Sequence, residues 1–268
     1  MFGLNGGEVR RPKIAIVIPA RNEEKNLPVV IRALHKQTWS PDLIIVVNDG
    51  SVDRTGEIAA RLGCKVINLP YHEESYAGKP ECANVMNVGL REVPEDFDFV
   101  MILGADHVLP PTYIEELVKR VIAEDVAIAS GYIEGEEITR SQPRGSGRVY
   151  RLDFLRSIGF LPSNWGYESY VVYKAMSMGL KVRCYEDIPS RTLRRTRRGW
   201  PRSYYWGRAM RALGYHWLYA VWRSLRNLSP SMLLGYLTPT KKYEDIASFV
   251  CRKQKMRIVE KFKKILKG

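Results

Sequence analysis

Cysteine is scarce in this sequence: Cys64, Cys82, Cys184 and Cys251 are the four among 268 residues. They stand far apart with no Cys-x-x-Cys pair, so neither a zinc knuckle nor a disulfide framework is indicated, and a reducing, cytoplasmic setting is expected. Long apolar runs are missing as well. None approaches the roughly 18 residues of a bilayer-spanning helix, and Met1 to Lys13 has no apolar centre of the kind a secretory signal carries. Two glycine signatures are also absent: Gly-x-Gly-x-x-Gly after the first apolar run, and Gly-x-x-x-x-Gly-Lys-Ser/Thr. The first absence argues against nicotinamide and flavin cofactors, the second against a P-loop. There is no internal repeat and no low-complexity segment.

Acidic residues are scarce in one region only. Residues 1–190 hold 22 Lys/Arg against 26 Asp/Glu, whereas residues 191–268 hold 20 against 3, so the net charge of +13 is entirely C-terminal. A segment this basic calls for an anionic neighbour, whether nucleic acid, substrate phosphates or an acidic membrane surface. A solvated basic face is the plainer alternative. The length suits one large domain, or a domain with an extension, and 45% hydrophobic content is enough for a substantial core.

What is present, first of all, is alternation. Lys13 to Pro19 is a near-continuous β-branched run, as expected of a strand buried on both faces. Leu43 to Val47, Cys64 to Leu69, Phe97 to Leu103 and Val126 to Ile133 read as further strands. Helical patterns lie between them, at Asn26 to Gln37, Arg54 to Leu62, Pro80 to Glu92 and Pro111 to Glu124. The expected fold is therefore α/β, with a mostly parallel central sheet and helices on both faces. In such sheets the ligand crevice lies beyond the carboxyl ends of the strands. After Glu134 the pattern changes. Gly135 to Gly147 is polar, Val149 to Ile158 and Tyr167 to Met178 read as helices, and Lys181 to Tyr185 reads as a short strand. Ser203 to Leu228 reads as one long aromatic and basic helix, and Tyr243 to Lys267 as another.

The loops after the strands carry the chemistry. Pro19-Ala20-Arg21-Asn22-Glu23 follows the first, Asn48-Asp49-Gly50-Ser51-Val52-Asp53 the second, and Gly104-Ala105-Asp106-His107 the fourth. Asp49 could accept hydrogen bonds from a nucleobase or ribose; equally, Asp49-Gly50 could only make the turn, with Ser51 or Asp53 capping the next helix.

Together with Gly78-Lys79, Ala83-Asn84 and Gly166-Tyr167-Glu168, these loops resemble family 2 glycosyltransferases in order and spacing. The resemblance covers about residues 11–187 and is loose beyond Arg191. It implies a GT-A (Rossmann-like) domain over residues 11–190, followed by a basic, aromatic helical extension over 191–268 that contacts an acceptor or a membrane surface. It also implies a nucleotide-diphospho-sugar donor, UDP- or GDP-linked, and an inverting transfer to a hydroxyl or a lipid-phosphate-linked acceptor, assisted by Mn2+ or Mg2+.

Site residues follow position by position. The family's Asp-x-Asp metal motif is here Gly104-Ala105-Asp106, so the last aspartate, the usual metal ligand, survives. His107 is a candidate second ligand, or simply a hydrogen-bonding neighbour. Asp49 matches the base-reading position and Glu23 the ribose position, with Pro19, Ala20 and Arg21 beside them. Lys79 would reach the base or the phosphates, or be an exposed lysine at a helix start. Asn84 would meet the donor sugar or cap a backbone group. Glu168 is the expected general base, or else an acidic residue favouring a helix dipole. Trp165 and Tyr167 would wall the acceptor site.

Arg198-Gly199-Trp200 is an imperfect echo of a Gln-x-x-Arg-Trp motif, which makes Arg194 and Arg198 expected phosphate partners. The aromatic and basic helix beyond suits a membrane interface, plain packing, or, with less support, nucleic acid. A peripheral position on the inner membrane face is therefore part of the expectation. The reading from a different class is a non-catalytic nucleotide- or polyanion-binding protein on the same fold, suggested by Gly104 and the basic tail.

Overall fold

The computed structural model of the chain describes residues 10–136, 142–143, 145–194 and 200–265, with side chains as far as Met256. The elements in chain order are β1 (Ile14–Ala20), α1 (Leu27–His35), β2 (Leu43–Asp49), α2 (Thr55–Arg61), β3 (Lys65–Leu69), α3 (Glu81–Arg91), β4 (Phe99–Ile102) and β5 (His107–Val108). They continue with α4 (Tyr113–Glu124), β6 (Val126–Ile133), β7 (Arg148–Arg151), α5 (Leu152–Ser157), α6 (Tyr167–Ser177) and β8 (Lys181–Thr192). The chain then runs through α7 (Trp200–Ala212), α8 (Trp217–Arg226), α9 (Pro230–Leu237) and α10 (Glu244–Ile265).

Eight strands form a sheet in the order β3-β2-β1-β4-β7-β6-β8-β5. The half from β3 to β4 is parallel, while β7 runs antiparallel between β4 and β6. The apolar strands are buried because each face has its own helices. Ile14, Ile16 and Ile18 of β1 pack with Leu27, Ile31 and Leu34 of α1, and Ala15 and Val17 pack with Ala83, Met86 and Leu90 of α3. Gly89 makes the second contact close, since a Cβ there would lie 2.6 Å from Val17 and 2.8 Å from Val47.

Three expectations are corrected after Glu134. Val149 to Ile158 is not one helix: Arg148–Arg151 is strand β7, and only Leu152–Ser157 is helical. Val149 packs on one face of the sheet and Tyr150 on the other, and four residues are too few for that period of two to be told from a helix. The strand at Lys181 runs on to Thr192, through the expected domain boundary at residue 190. The single helix from Ser203 to Leu228 is two, α7 and α8, separated at Gly214, whose φ of +74° fits the left-handed region.

The C-terminal helices close a third core against α6, built on Tyr173, Met210, Leu213, Tyr215, Met232, Tyr236, Ile246 and Val250. Helices α7 and α9 touch backbone to backbone. A Cβ on Gly207 would stand 2.0 Å from the Met232 carbonyl, and one on Gly235 2.1 Å from that of Tyr204.

Candidate active site

The loops after β1 and β2 are laced together. Asn22, in the left-handed region at φ +54°, takes its N–H to Ser51 Oγ (3.0 Å) and accepts from the Val52 N–H (2.9 Å). Glu24 N–H donates to Asp53 (3.1 Å), and Glu23 N–H to Thr55 Oγ1 (2.7 Å). These bonds hold Glu23, which is 7% exposed, at the mouth of β1 with Asn26 Nδ2 on its carboxylate at 2.8 Å.

The loop after β3 joins them. Asp49, at the end of β2, meets His72 Nε2 at 2.9 Å, and His72 stacks on Tyr76 with ring centroids 3.9 Å apart. Arg21 donates to the carbonyls of His72 and Glu74, so it holds this loop against Asp49. Lys79 pairs with Glu74 at 2.6 Å, and Asn84 is exposed on α3. Pro19 and Ala20 close β1, with Ala20 buried. His72 is a residue that sequence reasoning missed, because it sits in an irregular loop and is identified only by its partner.

Asp106 lies just beyond β4. The two-residue strand β5 pairs His107 with Thr192 and Val108 with Arg191, and the Leu193 N–H donates to the Asp106 carbonyl (2.8 Å). This pairing delivers Arg194 to the site. Its Nε meets Asp106 Oδ2 at 3.0 Å, and its Nη2 pairs with Glu23 Oε1. Burial pulls the guanidinium pKa down, but Asp106 and Glu23 outweigh it and the net direction is upward, so Arg194 remains a cation. His107 is fully buried, with Nδ1 2.7 Å from Ser146 Oγ, which also accepts the Gly104 N–H at 2.8 Å. His107 Nδ1 thus bonds a neighbour behind the loop.

Asp106, Arg194 and Glu168 line one cavity of about 1140 Å³, together with Arg202 and Trp206 of α7 and Arg223 of α8. Glu168 stands in the first turn of α6, following Gly166 at φ +75°. Its carboxylate lies so close to Gly145 that a Cβ there would meet it at 2.6 Å. Buried Arg148 ties three pieces together, donating to the Pro143 carbonyl (2.6 Å), the Tyr150 hydroxyl (3.0 Å) and the Glu168 carbonyl (3.1 Å). Arg148 thus positions the head of α6; the sequence signal that could have found it is the Gly145-Ser146-Gly147 close approach just before it.

The two residues expected at the acceptor wall have other neighbours. Tyr167 belongs to the core beside Cys82, and burial, reinforced by the Glu168 charge, holds its phenol well above the ordinary value. Trp165 is covered by Arg208, whose guanidinium carbon stands 4.6 Å from the ring centroid, and by Tyr205. In their place Trp206, Arg202 and Arg223 line the cavity. Arg198 lies outside the described residues. Among the described residues there is no cluster of three or more His, Cys, Asp or Glu side chains suited to a metal ion.

Residues 15–170 match the family described as Glycosyl transferase family 2. The chain belongs to that family. A 4,4'-diaponeurosporenoate glycosyltransferase of Staphylococcus haemolyticus is 48% identical over 58 residues, which is 22% of this chain and 15% of that protein. Among solved structures, the mannosyltransferase PcManGT of Pyrobaculum calidifontis, in complex with GDP-Man and Mn2+, superimposes with a TM-score of 0.63 at 17% identity, over 85% of this chain and 71% of that one. TarS of S. aureus, in complex with UDP-GlcNAc, gives 0.57 at 16% identity, over 73% and 64%. The family 2 chain spans well under a fifth of the first of these relatives. Its fold is the GT-A arrangement, a mixed sheet clothed by helices with a C-terminal helical extension.

Proposed function

We propose that this family 2 protein is an inverting glycosyltransferase, moving a sugar from a UDP- or GDP-linked donor to an acceptor oxygen. The observation that carries the reading is the meeting of Asp106 and Glu168, 62 residues apart, on one cavity wall with Arg194. In this reading Glu168 accepts the proton of the acceptor hydroxyl as that oxygen attacks the anomeric carbon. The bond from that carbon to the diphosphate oxygen breaks, and the nucleoside diphosphate leaves from the opposite side. One displacement inverts the anomeric centre. Asp49, braced by His72 and Arg21, reads the nucleobase. Glu23 faces the ribose, Pro19 and Ala20 offer backbone beside it, and Lys79 and Asn84 stand at the donor's flank. Arg194, freed from its carboxylates, turns to the diphosphate.

A divalent ion fits this chain in one way only. Asp106 and Glu23 already share a single positive charge, so their position is built for a cation, and one carboxylate completed by donor phosphates and water is the usual environment of Mg2+. Asp106 would hold Mn2+ or Mg2+, and the ion would stabilise the negative charge of the leaving diphosphate. PcManGT, solved with GDP-Man and Mn2+, supports this choice of donor and ion. The acceptor is a hydroxyl, free or on a lipid-phosphate-linked molecule, and Arg202 and Arg223 on the cavity wall suit one that carries phosphate. The sheet with its flanking helices, as far as Arg194 after β8, serves the donor and the reaction, and the helices from α7 onward serve the acceptor.

Glu168→Gln tests the assignment. Transfer and the slow hydrolysis of a UDP- or GDP-sugar should fall by roughly 10²–10⁴-fold, while stabilisation by the nucleotide in a thermal-shift assay is kept. Unchanged turnover would reject Glu168 as the base. A wild-type protein that binds nucleotide but releases no sugar at all would favour the non-catalytic reading.

A further inference from the structure

Helix α8 is amphipathic with its apolar side turned outward. Tyr219, Ala220 and Ser224 are the buried side, and Arg223 reaches the cavity. Leu218, Trp222 and Leu225 share the other side at helical spacing and are exposed, Leu225 by 68%, and Trp217, the first residue of the helix, is 59% exposed. Leu228, in the turn that follows, is 90% exposed, and α9, which packs on α8, adds exposed Leu234 and Leu237. Trp222 is 37% exposed and Leu218 48%. Single exposed leucines need no explanation, but two leucines and a tryptophan exposed on one helix stripe, with four more large apolar side chains exposed nearby in sequence, do.

Charge selects the occupant. The face lies in the segment where 20 Lys/Arg meet 3 Asp/Glu. Arg226, on the same helix, lies over the Trp222 ring at 5.5 Å, so a cation stands beside the exposed indole. Indole rings with an apolar body and a polar edge, flanked by arginine, suit the headgroup layer of a bilayer. A second protein would be met by apolar residues with fewer uncompensated cations, and a nucleic acid by rings and cations without leucines. None of the described helices is long and apolar enough to cross a membrane, so the contact is with one leaflet.

We propose that α8 docks this protein on an anionic lipid surface, with Leu218, Trp222 and Leu225 inserted at the headgroup boundary and the basic side chains around them facing the lipid phosphates. Docking in this pose sets Arg223, on the inward side of the same helix, between the bilayer and the cavity that holds Asp106 and Glu168. A lipid phosphate would then reach the site without leaving the leaflet. The docking itself does not depend on the transferase reading, and its test uses no donor.

The full chain is mixed with phosphatidylcholine vesicles, with and without phosphatidylglycerol, and floated at low and high salt. The expected result is flotation with phosphatidylglycerol at low salt, a blue shift of tryptophan emission, and release by salt. Leu218→Ser with Leu225→Ser should weaken partition on the order of a hundredfold, about tenfold for each side chain. Both side chains are exposed, so the melting temperature should hold. Met178→Ser, an exposed apolar change elsewhere, should float like wild type. Wild-type protein left at the bottom with phosphatidylglycerol, or a double variant that floats unchanged, overturns the proposal. So does a wild-type dimer, or an oligonucleotide complex, that the double variant dissociates while vesicles bind neither protein.

Discussion

Replacing Arg194 with alanine removes the one cation that Asp106 and Glu23 share. Two opposite charges about 4 Å apart attract by about 1 kcal/mol in water and about 4 kcal/mol at the effective dielectric of a protein surface. The Arg194 side chain is 57% exposed, Asp106 24% and Glu23 8%, so solvent screening puts the interaction near the lower figure, at about 1–2 kcal/mol. A divalent ion arriving at Asp106 must first displace that guanidinium. Free wild-type protein should therefore bind Mn2+ weakly, and Arg194→Ala should bind it about 5- to 30-fold more tightly. The same change leaves the buried Glu23 carboxylate with Asn26 as its side-chain donor and should lower the melting temperature by about 2–4 °C. With UDP or GDP present the order should reverse, since the variant has lost a phosphate partner. Calorimetric titration of Mn2+ into both proteins, with and without nucleotide, reads all of this. Tight Mn2+ binding to the free wild type, no tighter in the variant, would refute the competition.

Glu168→Gln stands beside this as the test of the base. Asp53 accepts N–H bonds from Glu24 and Thr55 as well as the Thr55 hydroxyl; burial raises its pKa, and these bonds outweigh that and hold it below the ordinary 3.8. A depressed folded value means stability that is complete above the unfolded pKa and lost as pH falls through the folded one, so Asp53→Asn should lower the melting temperature near neutrality and converge with wild type in acid. Equal melting temperatures at neutral pH would contradict this. Burial pushes the Cys64 and Cys82 thiols up to about 11. At about pH 8 both should alkylate on the order of a hundredfold more slowly than a free thiol, as mass spectrometry would show, and rapid labelling would count against their burial. Gly207→Ala should cost about 1–3 kcal/mol in denaturant unfolding, because its Cβ would strike the Met232 carbonyl at 2.0 Å; an unaltered midpoint would mean the two helices separate freely.

The half of the fold that the sequence made legible is the half with a strong local signal. Strands β1, β2 and β6 are long β-branched runs buried on both faces, and the helices between them have clear apolar stripes, so their bounds moved by only a few residues. β5 and β7 are too short to show a period, and each exists because of its partner strand. The break at Gly214 was visible as a glycine but not as a turn, since helices also contain glycine. At the site, Asp49, Asp106 and Glu168 were singled out by the family 2 resemblance, and they do stand at strand and helix ends. The pairing of Arg194 with Glu23 spans 171 residues, and that with Asp106 spans 88. No local pattern encodes contacts of that range. For Tyr167 the sequence was equally open: an aromatic ring beside a functional residue is as well suited to a core as to a ligand, and its 7% exposure puts it in the core.

Gly104 shows how the site compensates for the carboxylate it lacks. A Cβ at this position would stand 3.1 Å from Ser146 Oγ and 3.2 Å from Asp106 Oδ1. An aspartate there would press on the serine that fixes both the Gly104 N–H and His107, and would set a second negative charge against Asp106. Glu23, on the loop after β1, meets the same guanidinium as Asp106 from the other side. Two acids on neighbouring strands of the sheet can approach one positive charge without crowding each other, because the β1–β4 spacing separates them while Arg194 bridges them. If Asp106 holds the ion as proposed, the chain's own guanidinium stands in its place, and loading requires a ligand that offers Arg194 something better than two carboxylates. A diphosphate, with its charge and bidentate oxygens, is such a ligand. Ion and donor should therefore bind together or hardly at all.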